Sequence, residues 1–469
     1  NTRTPPLRRS RASKIQTLPK TLLTAWRRST EMEEPAAGME DGEQGQEAEV
    51  SPALVAVHPL GRSIGVSIGS DLRVFDLEGD RAISLSDNSG GPSHSEDIKA
   101  ICFGAEGKYF ASAGNDKLVK VWETDSWNCI CTVCSEKRVS AVAISHDGLF
   151  VSFADKFGVV WIFSLDKDGA NAPADRKAVP LLGHYCSIIT SLKFSPDGQF
   201  IASADRDFKI RITVFPKRPL SGAHEIQSFC LGHTDFISCL AFTCPPDYSQ
   251  ALLLSGSGDS TVRLWDFISG CLLDTCEVGA KAGLLGPNNG ELNAATVTDI
   301  CASPDGSLIA AAIQSLDGVV LLNCYLDARS LCVAKVISIG NCFIPTSLGM
   351  SCAAEHLWMV TGASNIPSLV SLLPLACVKV ISGLQKVKLD EDPFNLTVLE
   401  DGEVPGGLKL LEKLQGRLDV AREEGTLAVA AEALKTAMRN LLVKRQYSVV
   451  KRELRKKTRN DKKLKQQHQ

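Results

Sequence analysis

The sequence predicts an all-β protein, a propeller of seven four-stranded blades, followed by a helical, basic C-terminal extension. Three observations predict it. One strand–turn–strand unit recurs between about residues 52 and 375, and a recurring unit of this size marks a repeat architecture. Asp-Gly pairs punctuate the units (Asp147-Gly148, Asp197-Gly198, Asp305-Gly306) and supply the positive φ of tight hairpin turns. Beyond residue 375 the period of apolar residues changes from that of strands to that of helix.

Each unit opens with an apolar strand and a short turn. A second apolar strand and a stretch of small residues lead to an Asp, and a strand of the form V-x-V-W closes the unit. One copy runs from Ile98 through Tyr109–Phe110 and Asp116 to Trp122; another runs from Gly232-His233 through Leu252–Leu254 and Asp259 to Trp265-Asp266. The unit resembles the WD repeat, whose four-stranded blades build propellers. In WD repeats a His, a Ser or Thr, an Asp and a Trp form a buried hydrogen-bonded tetrad. By position His233, Ser255 or Ser257, Asp259 and Trp265 fill it in one blade. His94, Asp116 and Trp122 fill it in another, with Ser93 in place of the Gly. Burying Asp and His is costly unless they are paired, so such a set fixes blade geometry. A lone His-Asp-Ser set would suggest a hydrolase, but a spacing that repeats along the chain is structural.

Seven blades are predicted over 52–80, 95–135, 137–166, 181–216, 228–276, 294–327 and 343–373, with the first and last degenerate. Residues 167–180 and 279–293 read as inter-blade loops. The propeller thus spans 51–376, a loop or linker 377–407, and the helical basic extension 408–469, with apolar positions such as Leu410, Leu411, Leu414 and Leu418 on one helical face. Which segment closes the ring is left open.

The 469 residues are 44% hydrophobic and 22% charged, enough for a large core without disulfides or metal. The net charge of −3 conceals blocks. Residues 1–30 carry Arg and Lys and no acid, residues 31–50 are acidic, and the last thirty or so are strongly basic. The first block reads either as a transit-type segment or as sequence upstream of a natural start at Met32. Residues 1–50 are expected to be disordered. The sixteen cysteines lie mostly in apolar runs (Cys102, Cys239, Cys301, Cys324), as small buried residues do, and suggest a reducing compartment. Cys129, Cys131 and Cys134 form the tightest cluster; their alternating surroundings favour a strand over a zinc site. No metal site and no transmembrane helix are expected.

No dinucleotide-binding glycine loop, Walker loop or nucleophile elbow is present, and no glycine-rich loop suits a methyl-donor cofactor, so the chain is not expected to be an enzyme. Its function is expected to lie in binding. The fourth blade is the unusual one. From Phe194 to Thr213 it carries the charged string Asp205-Arg206-Asp207-Phe208-Lys209-Ile210-Arg211, with Thr213 where a Trp is expected, six residues after Asp207 taken as the tetrad Asp. The next unit opens with Ser228-Phe229-Cys230-Leu231-Gly232-His233-Thr234, and the preceding blade holds Ala154-Asp155-Lys156-Phe157-Gly158.

These strings resemble the non-catalytic WD-repeat subunit of the tRNA (guanine-N7-)-methyltransferase, most strongly between about 150 and 270, with loop lengths of a plant-type member. The resemblance implies a separate catalytic subunit that binds S-adenosylmethionine and methylates N7 of guanine-46 in the tRNA variable loop. In this reading the propeller is half of a heterodimer, stabilises and positions that subunit, and docks it along the side of the central blades through charged residues. On matching positions these are Lys156, Arg206, Lys209 and above all Arg211. One position departs, since the place of Phe208 is acidic in some relatives. Plain structural readings stand beside these. Arg206 and Lys209 also read as solvated turn residues, and Arg211 occupies a strand position where other blades carry Lys120 or Arg263. A general WD scaffold, such as a substrate receptor of a ubiquitin ligase, is the rival reading. The basic tail (Lys451, Arg452, Arg455, Lys456, Lys457) reads as a phosphate contact to RNA, as a nuclear import signal that would place the protein in the nucleus, or as a solvated helix end.

Overall fold

Short alternating runs become strands because only alternate residues find a dry neighbour, and here nearly every such run lies within a blade. A computed structural model describes residues 50–415 except 86–92, 166–175, 185–186, 246–250, 285–294, 315, 317, 340–343, 366–374 and 385–395. Six antiparallel sheets of four strands and one of five form seven blades. Blade 1 spans Leu54 to Ile83, blade 2 Ile98 to Cys134, blade 3 Val139 to Gly183, blade 4 Ile189 to Leu231, blade 5 Ile237 to Cys276, blade 6 Val297 to Ser338 and blade 7 Pro345 to Val398. The fold is a seven-bladed β-propeller.

The blade limits differ from the expected ones at the outer strands. Val179–Gly183 is the outer strand of blade 3, not the start of blade 4, and Ile226–Leu231 closes blade 4 rather than opening blade 5. In a WD repeat the Gly-His follows an outer strand, so a repeat cut at Gly-His is out of phase with the blade. Gly148, Gly198 and Gly306 lie in the left-handed region (φ +70°, +69° and +72°), as their Asp-Gly turns require.

Apolar layers between neighbouring sheets make the core. Blades 4 and 5, for example, share Ile210, Ile212 and Cys230 with Leu253, Trp265 and Phe267. Around the channel the second residue of several inner strands is a hydroxyl that reaches into the next blade. Thr190 donates to Ile237 O (2.6 Å), Ser238 to Val297 O (2.5 Å), Thr298 to Pro345 O (2.8 Å) and Thr346 to Ala53 O (2.7 Å). This belt ties blade 4 to 5, 5 to 6, 6 to 7 and 7 to 1.

The belt's last step crosses the seam between the two ends of the ring. Two further devices close that seam. Ser51 and Pro52 pair with Ser364 and Ala363 of blade 7. The C-terminal helix Gly407–Leu414 buries Leu410, Leu411 and Leu414 in one cluster with Phe75 of blade 1 and Trp358, Val378 and Val380 of blade 7. Arg73 donates to Gln415 O from the blade 1 side, and Gln415 Nε2 donates to Val378 O (3.4 Å) on the blade 7 side. The ring is therefore clasped by a helix. This corrects the expected linker at 377–407: Leu375–Ser382 is a full strand of blade 7, paired over its length with His356–Ala363, and Thr397–Val398 is that blade's outermost strand. The proposed helical positions beyond Gln415 lie outside the described residues.

Candidate partner-docking site

Three blades carry a buried hydrogen-bonded His-Ser-Asp set at the same end of the propeller. In blade 5, His233 Nδ1 is 2.8 Å from Asp259 Oδ2, His233 Nε2 is 2.7 Å from Ser255 Oγ, and Trp265 Nε1 donates to that oxygen (2.8 Å). Ser257 instead donates to Phe236 O, 2.8 Å away. In blade 2, His94 meets Asp116 and Ser112, both at 2.8 Å, and Trp122 donates to Ser112 (3.1 Å). Burial opposes the charge on Asp259, but the hydrogen bond and charge of His233, with Thr261 and the Thr234 N–H, outweigh it and hold the carboxyl below its ordinary value. Asp116 is lowered by the same balance with His94.

The third set is in blade 4, and the sequence reading placed it wrongly. The tetrad Asp is Asp205, not Asp207. His184 Nδ1 lies 2.9 Å from Asp205 Oδ2, and His184 Nε2 lies 2.8 Å from Ser203 Oγ. Along a strand, residues two apart share a face, so Asp205 reaches the same His that Ser203 does. The other carboxylate oxygen of Asp205 accepts the turn N–H groups of Asp207 (2.8 Å) and Lys209 (3.2 Å). Thr213 does stand in the Trp position, fully buried, with its hydroxyl unpartnered. Blade 3 repeats this variant turn: Asp155 accepts from Phe157 N and Val159 N and takes the Trp161 indole N–H at 2.8 Å. Arg211 occupies the place of Trp161, each six residues after its turn-capping Asp (155 to 161, 205 to 211).

These turns place the charged candidates. Lys156 is in the blade 3 turn; Arg206 holds the same place in the corresponding turn of blade 4, the adjacent blade, and Lys209 opens the strand after it. Lys156 and Lys209 are exposed and Arg206 is half-buried. Lys156 and Lys137 both approach the exposed Phe157 ring, with Nζ 5.6 and 5.3 Å from its centre. Arg211 lies directly across from Ser203 and donates through Nη1 to Gly183 O (3.0 Å). Its Nε and that of Arg206 are buried without a hydrogen-bond partner, and burial lowers the pKa of the Arg211 guanidinium. Phe208, between Asp207 and Lys209, sits in the left-handed region at φ +71°. Blade 3 has Gly158 at that place, so the bulky ring carries a backbone cost of about 1 kcal/mol.

Sequence reasoning missed two things here. Gly183-His184 was the signal for the third set, standing ahead of Asp205 much as His94 stands ahead of Asp116. The exposed Phe229 and Leu231 carried no signal in the pattern. The Cys129–Cys134 run is the outer strand of blade 2, where Cys131 is buried and Cys134 exposed. Alternation sends Cys134 to the face opposite Cys129 and Cys131, so the three thiols do not converge. Burial pushes the Cys102, Cys301 and Cys324 thiols up to about 11, 12 and 11, which leaves them protonated and unreactive. No group of metal-ligating side chains occurs among the described residues. Lys451, Arg452, Arg455, Lys456 and Lys457 lie outside them.

The family model described as "tRNA methyltransferase TRM82 WD40 domain" matches residues 167–349, which include the variant turn of blade 4, and a general WD-domain model matches residues 91–123. Residues 167–349 of the chain are thus similar to that WD40 domain. Curated relatives agree with this. A mouse protein named tRNA (guanine-N(7)-)-methyltransferase non-catalytic subunit WDR4 is 37% identical over 194 residues, 41% of this chain and 42% of its own. The Xenopus laevis protein of that name is 29% identical over 326 residues, 68% and 77%. The human protein is 35% identical over 191 residues, 40% and 42%. The match therefore spans less than half of the mouse and human relatives. The chain shares its fold with the solved U3-55K structure, at a TM-score of 0.55 and 20% identity, covering 67% of this chain and 89% of that one.

Proposed function

We propose that this chain is the non-catalytic subunit of a heterodimeric tRNA (guanine-N7) methyltransferase. It holds the catalytic subunit, which brings S-adenosylmethionine, on the rim of blades 3 and 4, so that guanine-46 of the tRNA variable loop is methylated. The names of the curated relatives support a non-catalytic role. The observation that carries the docking site is the half-buried Arg211. Its guanidinium is anchored to Gly183 O at one end and keeps a buried, uncommitted Nε at the other. A buried donor without a partner is costly, and the half-buried guanidinium that carries it favours a carboxylate of the partner on its accessible side through a charge-assisted bond. Lys156, Arg206 and Lys209, in and beside the turns of blades 3 and 4, act as rim charges, which speed encounter and set orientation more than they add affinity.

The test is co-purification with the catalytic methyltransferase, followed by a methylation assay on tRNA. Arg211→Glu is expected to abolish complex formation and methylation while the unfolding midpoint moves by only a few degrees. Retained binding by Arg211→Glu places the docking face elsewhere. Full methylation by the catalytic subunit alone removes the reading altogether.

A further inference from the structure

We propose that Phe208, Phe229 and Leu231 form an apolar anchor on blade 4 that receives an apolar segment of the catalytic subunit bordered by carboxylates. The proposal builds on the docking reading above and names what the binding energy comes from. Of the twelve large apolar side chains exposed among the described residues, seven fall between residues 208 and 272, on blades 4 and 5. Phe208 is 40% exposed, Phe229 45% and Leu231 59%.

Register places these beside the cations. On the outer strand Ile226–Leu231, Phe229 lies directly across from Arg211 and Leu231 directly across from Lys209. Residues directly opposite in an antiparallel pair share a face, so two cations and two apolar side chains form one patch. Cys230, between them, points the other way and is buried against blade 5. Blades 2 and 5 do not build this patch. The residue opposite the corresponding cation is Thr132 in blade 2, across from Lys120, and Thr275 in blade 5, across from Arg263. Blade 4 has Phe in place of that Thr, and blade 3, which shares the variant turn, has Trp161 across from Pro180. Phe208 heads the same strand pair in a left-handed conformation that costs the folded chain energy and leaves the ring in water.

Charge complementarity fixes the chemistry of the occupant. Lys209 and Arg211 border the apolar residues on the neighbouring strand, and the outer strand Ile226–Leu231 carries no charged side chain. An apolar centre with a charged border is the usual make-up of a specific protein interface, and buried aromatic residues dominate its energy.

The full chain is titrated with labelled catalytic subunit at about 0.1 M and about 0.5 M salt. The double variant Phe229→Ser/Leu231→Ser is expected to weaken binding roughly 30-fold or more at both salts, with an unchanged unfolding curve. Lys209→Ala is expected to weaken it only a few-fold, and only at the lower salt. Phe208→Gly removes backbone strain, so it is expected to keep or raise the unfolding midpoint while weakening binding. If the double variant binds like wild type while Arg211→Glu does not bind, the docking edge stands and the anchor is wrong. If wild type itself fails to bind, both fall. A self-associating wild type that becomes monomeric in the double variant, by light scattering, makes the patch a contact between copies and overturns the proposal.

Discussion

Truncation after Gly406 is expected to lower the midpoint of thermal unfolding by roughly 10 °C, whereas truncation after Gln415 is expected to leave it in place. A propeller whose ends are not held together has two open blade faces. Here one face belongs to blade 1, with Ile64, Val66 and Phe75, and the other to blade 7, with Trp358, Val378 and Val380. The helix Gly407–Leu414 covers both, and each fully buried leucine it supplies contributes about 2 kcal/mol of apolar burial. Leu410→Ala alone is expected to cost about 3 kcal/mol, because the cavity lies where two sheets and a helix meet and cannot collapse. Lys409 forms an ion pair with Asp80 at 2.5 Å, but both side chains are exposed, so Lys409→Ala is expected to change little. Scanning calorimetry on the four proteins separates the contributions. If the chain ending at Gly406 melts like full length, strand pairing at Ser51–Pro52 and the Thr346 hydroxyl close the ring unaided.

The fold was legible because its signals are local and repeated. Strand alternation, Asp-Gly turns and the fixed interval from Ser to Trp, ten residues in blades 2 and 5 (112 to 122, 255 to 265), each name a blade without knowledge of its neighbours. Blade 4 shows where that logic fails. Its Ser203 and Thr213 keep the interval, so counting led to Asp207, four residues past the serine as Asp116 and Asp259 are. The His is instead taken by Asp205, two past the serine, because an acid on the same strand face is nearer than one beyond the turn. The clasp was hidden for another reason. Leu410, Leu411 and Leu414 declare an apolar helix face, but the surface that face covers is set by which strands the ring leaves open. Phe229 and Leu231 were hidden likewise, since an alternating strand reads the same whether its outer face meets water or another protein. The charged residues of the site could be named from their string, but their surroundings, including the uncommitted Nε of Arg211, belong to tertiary structure.

Asp259→Ala is expected to destabilise the chain by about 3 kcal/mol, the largest effect of any single polar substitution in blade 5. The carboxylate meets His233, the Thr261 hydroxyl at 2.6 Å, and the backbone N–H groups of Thr234 and Thr261 at 3.1 Å each. Its removal leaves His233 Nδ1, on a side chain with no access to water, only the long contact to the Thr261 hydroxyl (3.4 Å), while Nε2 remains committed to Ser255 and through it to Trp265. Asp259→Asn keeps the shape but loses the charge, and is expected to cost about half as much. The same carboxyl makes stability depend on pH in one direction. Because Asp259 and Asp116 titrate below their ordinary values when folded, the unfolded chain binds protons first as pH falls. Their contribution is whole above the unfolded value of about 4 and is lost as pH drops through the folded one. Urea unfolding of wild type and Asp259→Ala at neutral pH and near pH 3 reads this directly. The gap between the two proteins is expected to narrow at the lower pH. A gap that stays constant across that range would show that Asp259 acts through shape alone and that its charge contributes nothing to holding His233 in the blade.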